Sequence, residues 1–325
     1  MTGIFKANNP NNNFLLLLYG LALKFHLFWH VGAPQLHSSD GILYSASIGW
    51  LQRTLGAQSM VFSLLSFLLL YIQAVSFNKL VNDHRLMPRP HYLTGMSYLL
   101  ITSLFSDWFP LSAALLANTL LIWVWGKLCS LHNTTSPRTI IFNIGLAIGI
   151  AAFFYTPAIL FVFLFIIGLA ATRAFKANEW LLGLLGVGTC YYFYGAWYFI
   201  TGRWKNYQLP TFEINMPILH IDKFEIIGMC LLLLGIFMGM VFMRTQSRRQ
   251  LVQTRKSWQL VYVYLLVAAV IPFFNANKFN SWVLAAVPLS AILAAAFFYP
   301  TRKWFPLGLH WAMIALAIFI GYFIR

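Results

Sequence analysis

Acidic side chains are scarce in this 325-residue chain, numbering seven, so each is a candidate for chemistry. Asp40 stands in His37-Ser38-Ser39-Asp40-Gly41-Ile42-Leu43-Tyr44, a polar stretch directly after the first long apolar run. From Ile42 the pattern turns amphipathic. Ile42, Leu43, Ala46, Ile48, Gly49, Leu51 and Leu55 fall mostly to one side, and Gln52, Arg53 and Thr54 to the other. A carboxylate held beside a bilayer, ahead of a helix that lies along it, suits general-base chemistry at the membrane surface. The same residue equally suits capping of that helix. Asp107, in Ser106-Asp107-Trp108-Phe109-Pro110, carries the same two readings at the tip of a tight hairpin.

Other groups could serve such a site. Lys278 sits among Asn275, Asn277 and Asn280, where it meets a phosphate as a compact point charge or snorkels at the boundary. His30 and His37 lie close in sequence to Asp40. They bind a ligand or simply hydrogen-bond to neighbouring helices, the second role being the commoner for histidine. Arg53 and Arg203 are further cations on the same expected side of the membrane. No zinc spacing, Walker loop or dinucleotide-binding glycine pattern occurs, so no metal ligand set is assigned. Cys129, Cys190 and Cys230 fall in or beside apolar segments and suggest no disulfide frame.

The elements that must position these groups are membrane spans. Hydrophobic residues make up 60% of the chain and charged residues 9%, against roughly 25% charged in soluble domains. The chain reads as one all-α integral membrane domain, residues 1–325, with spans near 14–31, 58–78, 92–106, 110–128, 139–155, 157–173, 179–201, 224–243, 258–274, 281–299 and 305–323. With the N-terminus in the cytoplasm, 15 Lys and Arg fall on the inner side and 6 on the outer, a strong positive-inside bias. The net charge of +15 therefore reflects topology and is no nucleic-acid signature. The first outer loop and juxtamembrane helix cover 32–57, a second outer loop 202–224, and a basic inner loop 244–257, suited to anionic inner-leaflet lipids. The N-terminus lacks the pattern of a cleaved signal, so the first span is expected to stay.

Asp40-Gly41-Ile42-Leu43-Tyr44-Ser45-Ala46 resembles the first-loop acid pattern of GT-C type membrane glycosyltransferases, which take sugars from polyprenyl-phosphate donors. Asp107 is similar to their second outer-loop acid, and Lys278 to Leu293, through Pro288 and Ala291, to a late basic segment some of them carry. Gly41 stands where many such enzymes have a second acid, and no soluble outer domain follows the spans. A second resemblance is to an uncharacterised Bacteroidota family of polytopic inner-membrane proteins. It rests on Phe154-Tyr155-Thr156-Pro157, Arg173-Ala174-Phe175 and Glu179-Trp180-Leu181-Leu182 with Gly183 and Gly186. Arg173 and Glu179 read as a clamp on an inner hairpin.

The first resemblance implies a GT-C-like helix bundle in a bacterial inner membrane, moving a sugar from a lipid-linked donor to an envelope acceptor. Asp40 would be the base. Lys278, with Arg53 or Arg203, would hold the donor phosphate. His37, Tyr44 and Asn277 would contact substrate, and Asp107 would orient the acceptor or complete a divalent site for Mg or Mn with Asp40. The competing expectation is a non-enzymatic scaffold or accessory subunit of an envelope assembly, in which the acids only cap helices. A transporter is disfavoured by the lack of an inverted repeat or a mid-membrane acid.

Overall fold

Hydrocarbon offers no water to backbone N–H and C=O groups, so each apolar run must close its hydrogen bonds within itself as a helix. The computed structural model of the chain obeys this rule and is helical, with no strand among the described residues beyond one isolated bridge. It describes residues 2–30, 34, 36–37, 39–55, 59–134, 136–206, 222–246, 250–274, 279–302 and 304–323. The helices are α1 (Thr2–Lys6), α2 (Asn12–Lys24), α3 (Leu27–His30), α4 (Ile42–Leu55), α5 (Ser59–Asp83), α6 (Leu93–Ile101), α7 (Ala113–Ser130), α8 (Arg138–Phe154), α9 (Val162–Thr172), α10 (Ala177–Ile200), α11 (Lys223–Gln246), α12 (Val252–Val270), α13 (Ala286–Phe298) and α14 (Trp304–Phe323). Short 3-10 turns at Thr156–Phe161 and Phe279–Ala285 lead into α9 and α13.

Six helices are long and apolar enough to cross a membrane: Met60–Asp83, Ala113–Ser130, Lys223–Gln246, Val252–Phe273, Phe279–Phe298 and Trp304–Phe323. The chain is a multi-pass membrane protein. Their outward faces stay apolar, as in Leu64, Leu68, Leu233 and Phe237, which suits lipid contact.

The segment expected as a span over 92–106 behaves differently. Its helix, α6, has nine residues, all of them buried. At 1.5 Å per residue it rises about 13 Å, well short of a bilayer core of about 30 Å. The side chains of Thr102 and Ser103 bond back to the carbonyls of Tyr98 and Leu99 as the helix ends. The irregular chain that follows is tolerated because protein, and not lipid, surrounds it. α6 and α13 form the centre of the bundle, with α2, α5, α11, α12 and α14 packed about them.

A polar network ties four helices at mid-depth. The Gln73 amide donates to the Leu115 carbonyl and the Thr119 hydroxyl, both at 2.7 Å. Tyr98 donates to Gln73 Oε1, and Tyr264 donates to Asn118 Oδ1 at 2.9 Å. In an apolar setting such bonds join helices because the unpaired alternative is costly.

α8 and α10 approach backbone to backbone. A Cβ on Gly145 would collide with the Gly183 carbonyl, and one on Gly186 with the Phe142 carbonyl, so only glycine fits this seam. Gly149 meets Val187 and Cys190 further along. Because contacts advance together on both helices, α8 and α10 run parallel.

Loop contacts gather at two ends. At one, Lys6 donates to Phe298 O, Tyr92 N to Phe5 O, Trp258 Nε1 to Leu86 O, and Arg173 to the carbonyls of Leu131 and Thr134. At the other, Gly41 N donates to Phe154 O, Tyr44 to Leu111 O, Trp108 Nε1 to Phe279 O, and Ser106 N to Glu225.

Candidate functional site

The Asp40 end holds the residues that the sequence singles out. Asp40 sits in a tight turn: its amide donates to the His37 carbonyl at 3.1 Å, and its Oδ2 accepts the His37 amide at 2.8 Å. The His37 ring Nδ1 stands 3.7 Å from the same oxygen, and the Asp40 side chain is 9% exposed. Oδ1 has no partner among the described residues. The carboxylate therefore turns back to His37 and is not spent on the first amides of α4.

What fixes this turn is a distant segment. Asp40 pairs with Tyr155 in the isolated bridge, Gly41 N donates to Phe154 O at 2.8 Å, and Thr156 N to Ser39 O at 3.2 Å. Gly41 is forced here, because a Cβ would strike the Phe153 carbonyl. α4 then starts directly and packs on α8. Tyr44 and Ile48, one turn apart, form its buried stripe, while Ile42, Leu43 and Trp50 are left outward and apolar.

Tyr44 lies four residues beyond Asp40, and its hydroxyl donates to Leu111 O at 2.9 Å. Burial, and next the negative charge of Asp40, push that hydroxyl above the usual phenol range. Leu111 lies four residues beyond Asp107, so one buried bond joins the two acid-bearing loops. Asp107 itself is half-buried in a 3-10 turn, Ser106–Trp108, and is engaged with its surroundings. Its neighbour Trp108 stacks on Phe279 at 5.4 Å and donates to the Phe279 carbonyl at 3.1 Å. The 107 loop thus touches the residue directly after Lys278.

The remaining candidates divide. Tyr44 is buried and committed to Leu111. Arg53 is exposed near the far end of α4, roughly 16 Å along the axis from its start. Arg203 is exposed just past the C-terminus of α10. Asn277, Lys278 and the side chain of His30 lie outside the described residues. Among the described residues no three His, Cys, Asp or Glu side chains converge as metal ligands. A divalent ion held by Asp40 would have to draw most of its oxygen ligands from water and donor phosphate.

Sequence reasoning assigned no role to Glu225, which is buried at the start of α11. Its Oε1 accepts the Ser106 amide at 2.8 Å and its Oε2 the Asp222 amide at 3.4 Å. The second contact is half of a capping box, legible as Asp222-x-x-Glu225. The first bolts α11 to the 107 loop, and no local pattern signals it. The mid-depth network also went unassigned, although Gln73 and Asn118 interrupt apolar runs visibly. At the opposite end the expected clamp forms, with Arg173 Nε 3.1 Å from Glu179 Oε2.

Residues 48–324 match the model of a family of unknown function, DUF6427, and the chain belongs to that family. No curated protein and no solved structure matches it.

Proposed function

Starting from a family membership that carries no activity, we propose that the chain is a GT-C-like glycosyltransferase of a bacterial inner membrane. It moves a sugar from a polyprenyl-phosphate donor to an envelope acceptor on the outer face. The observation that carries this reading is the state of Asp40. Its carboxylate is held by His37 in a turn at the membrane-surface end, is free of helix-capping duty, and keeps one oxygen without a partner among the described residues. A base with one anchored and one open oxygen can accept a proton from an acceptor hydroxyl. His37 fixes its orientation. Asp107 supplies the second acid on a loop joined to the first through Tyr44, and orients the acceptor. Lys278 follows the same loop cluster in sequence and balances the phosphate as negative charge develops. Arg53 and Arg203 contribute at the rim. No step is assigned to a metal ion.

Eleven crossings with a cytoplasmic N-terminus are part of this reading, one of them the protein-enclosed passage through the short helix α6 and the irregular chain after it. Its support is the separation of loop contacts into two ends: the bonds from Gly41, Tyr44, Trp108 and Ser106 at the Asp40 end join segments assigned outside, and those from Lys6, Tyr92 and Trp258 at the other end join segments assigned inside.

A second reading keeps one specific observation on its side. Tyr44, Glu225 and the Asp40 turn all make architectural bonds, as an accessory subunit without chemistry would need. Asp40→Asn separates the two. It preserves shape, and a lost general base lowers sugar transfer by about 10²–10⁴-fold, whereas the accessory reading expects unchanged envelope glycolipids.

A further inference from the structure

At the Lys6 end, a cleft of about 990 Å³ opens between the start of α8 and the start of α10. Its polar lining includes Arg138, Thr139, Arg173, Lys176, Asn178 and Glu179. We propose that this cleft binds a phosphate group, presented by an anionic phospholipid of the leaflet at that end. The site is remote from Asp40 and does not depend on the glycosyltransferase reading.

Charge carries the argument. Glu179 is matched by Arg173, which is held in turn by two backbone carbonyls at 3.2 Å. That pair is closed and neutral. Arg138 and Lys176 remain as exposed cations with no partner among the described residues. The cleft thus keeps two unbalanced positive charges, matching a phosphate mono- or dianion. Backbone adds to them. α8 and α10 run parallel through their glycine seam, so both N-termini open on the cleft, and neither has a side-chain cap. Free amides and two positive dipole ends favour an anion there.

The surroundings favour a lipid as the bearer. Phe175, 73% exposed, packs against Trp180 at 5.2 Å beside the cleft, an aromatic pair suited to headgroup depth. Beyond Trp180, Leu181 and Leu185 leave an exposed apolar strip one turn apart on α10, along which an acyl chain can lie.

The test uses full-length protein purified in a neutral detergent, with thermal melting and native mass spectrometry as readouts. The probes are phosphatidylglycerol, phosphatidylcholine and inorganic phosphate. Phosphatidylglycerol should raise the melting midpoint and stay bound, and phosphatidylcholine should not. Cations near a membrane surface contribute about fivefold each, so R138Q/K176Q should weaken phosphatidylglycerol binding about 25-fold. Both side chains are exposed, so this variant should melt like the wild type without lipid. R89Q, an exposed cation at the same end, should bind normally. Equal protection by inorganic phosphate would support the phosphate site but overturn the lipid as its bearer. Wild-type binding by R138Q/K176Q, an equal loss in R89Q, or no protection by any probe would overturn the site itself.

Discussion

Two glycines in one segment should respond to alanine with opposite signs. Gly41 faces the α8 C-terminus so closely that a Cβ would overlap the Phe153 carbonyl and crowd the Phe154 backbone. Backbone cannot swing aside as a side-chain tip can, so Gly41→Ala must push the 39–41 segment off residues 154–156. Overpacking of this kind costs about 1–3 kcal/mol. The bonds from Gly41 N and to Ser39 O would weaken with it, each worth about 0.5–1.5 kcal/mol. A net loss of about 2–4 kcal/mol follows. Gly49 lies inside α4 with open space where its Cβ would go. Gly49→Ala should therefore stabilise by up to about 1 kcal/mol through helix propensity alone. Thermal melting of both variants in the same detergent reads the difference. A Gly41→Ala midpoint at or above wild type, or an equal drop in Gly49→Ala, would refute the claim that contact with α8 builds the Asp40 turn.

Tyr264→Phe removes the donor to Asn118 Oδ1 at mid-depth and should cost about 1–2 kcal/mol in the same assay; a silent variant would show that the network does not join the helices. Burial, and next the charge of Lys6, hold His91 down at about 4 against an ordinary 6.5, and its Nδ1 accepts the Leu93 amide as a neutral ring would. Below pH 6.5 the unfolded chain then binds a proton that the folded chain refuses. Stability should be full above pH 6.5 and fall by about 3 kcal/mol as the pH drops to about 4, with a flatter slope in His91→Gln; equal slopes would contradict this. A single cysteine at position 53 should label from outside intact cells and one at position 138 should not, the reverse result inverting the topology.

Much of the architecture follows from local pattern. The amphipathic stretch expected over 41–55 is α4 at Ile42–Leu55, and every expected span contains a helix. Within α4, Ile42 and Leu43 look outward and stay apolar, while Tyr44 and Ile48 are buried and Tyr44 bonds to Leu111, a division that the pattern alone did not mark. Hydrophobicity alone could not tell α6 from a lipid-facing span, since burial by protein and burial by lipid select the same side chains. At the site, residue type pointed to Asp40 and Asp107. The turn that frees Asp40 from capping depends on Phe154 and Tyr155, and the bolt from Glu225 depends on Ser106. Contacts so distant along the chain leave no mark in local spacing.

The most direct test of the proposed activity is the envelope glycolipid profile, by mass spectrometry, of cells whose only copy of the protein is wild type or Asp40→Asn, with protein levels matched. The account predicts that Asp40→Asn accumulates a polyprenyl-phosphate sugar and lacks one glycosylated envelope species that the wild type makes. Identical profiles from the two strains would contradict it.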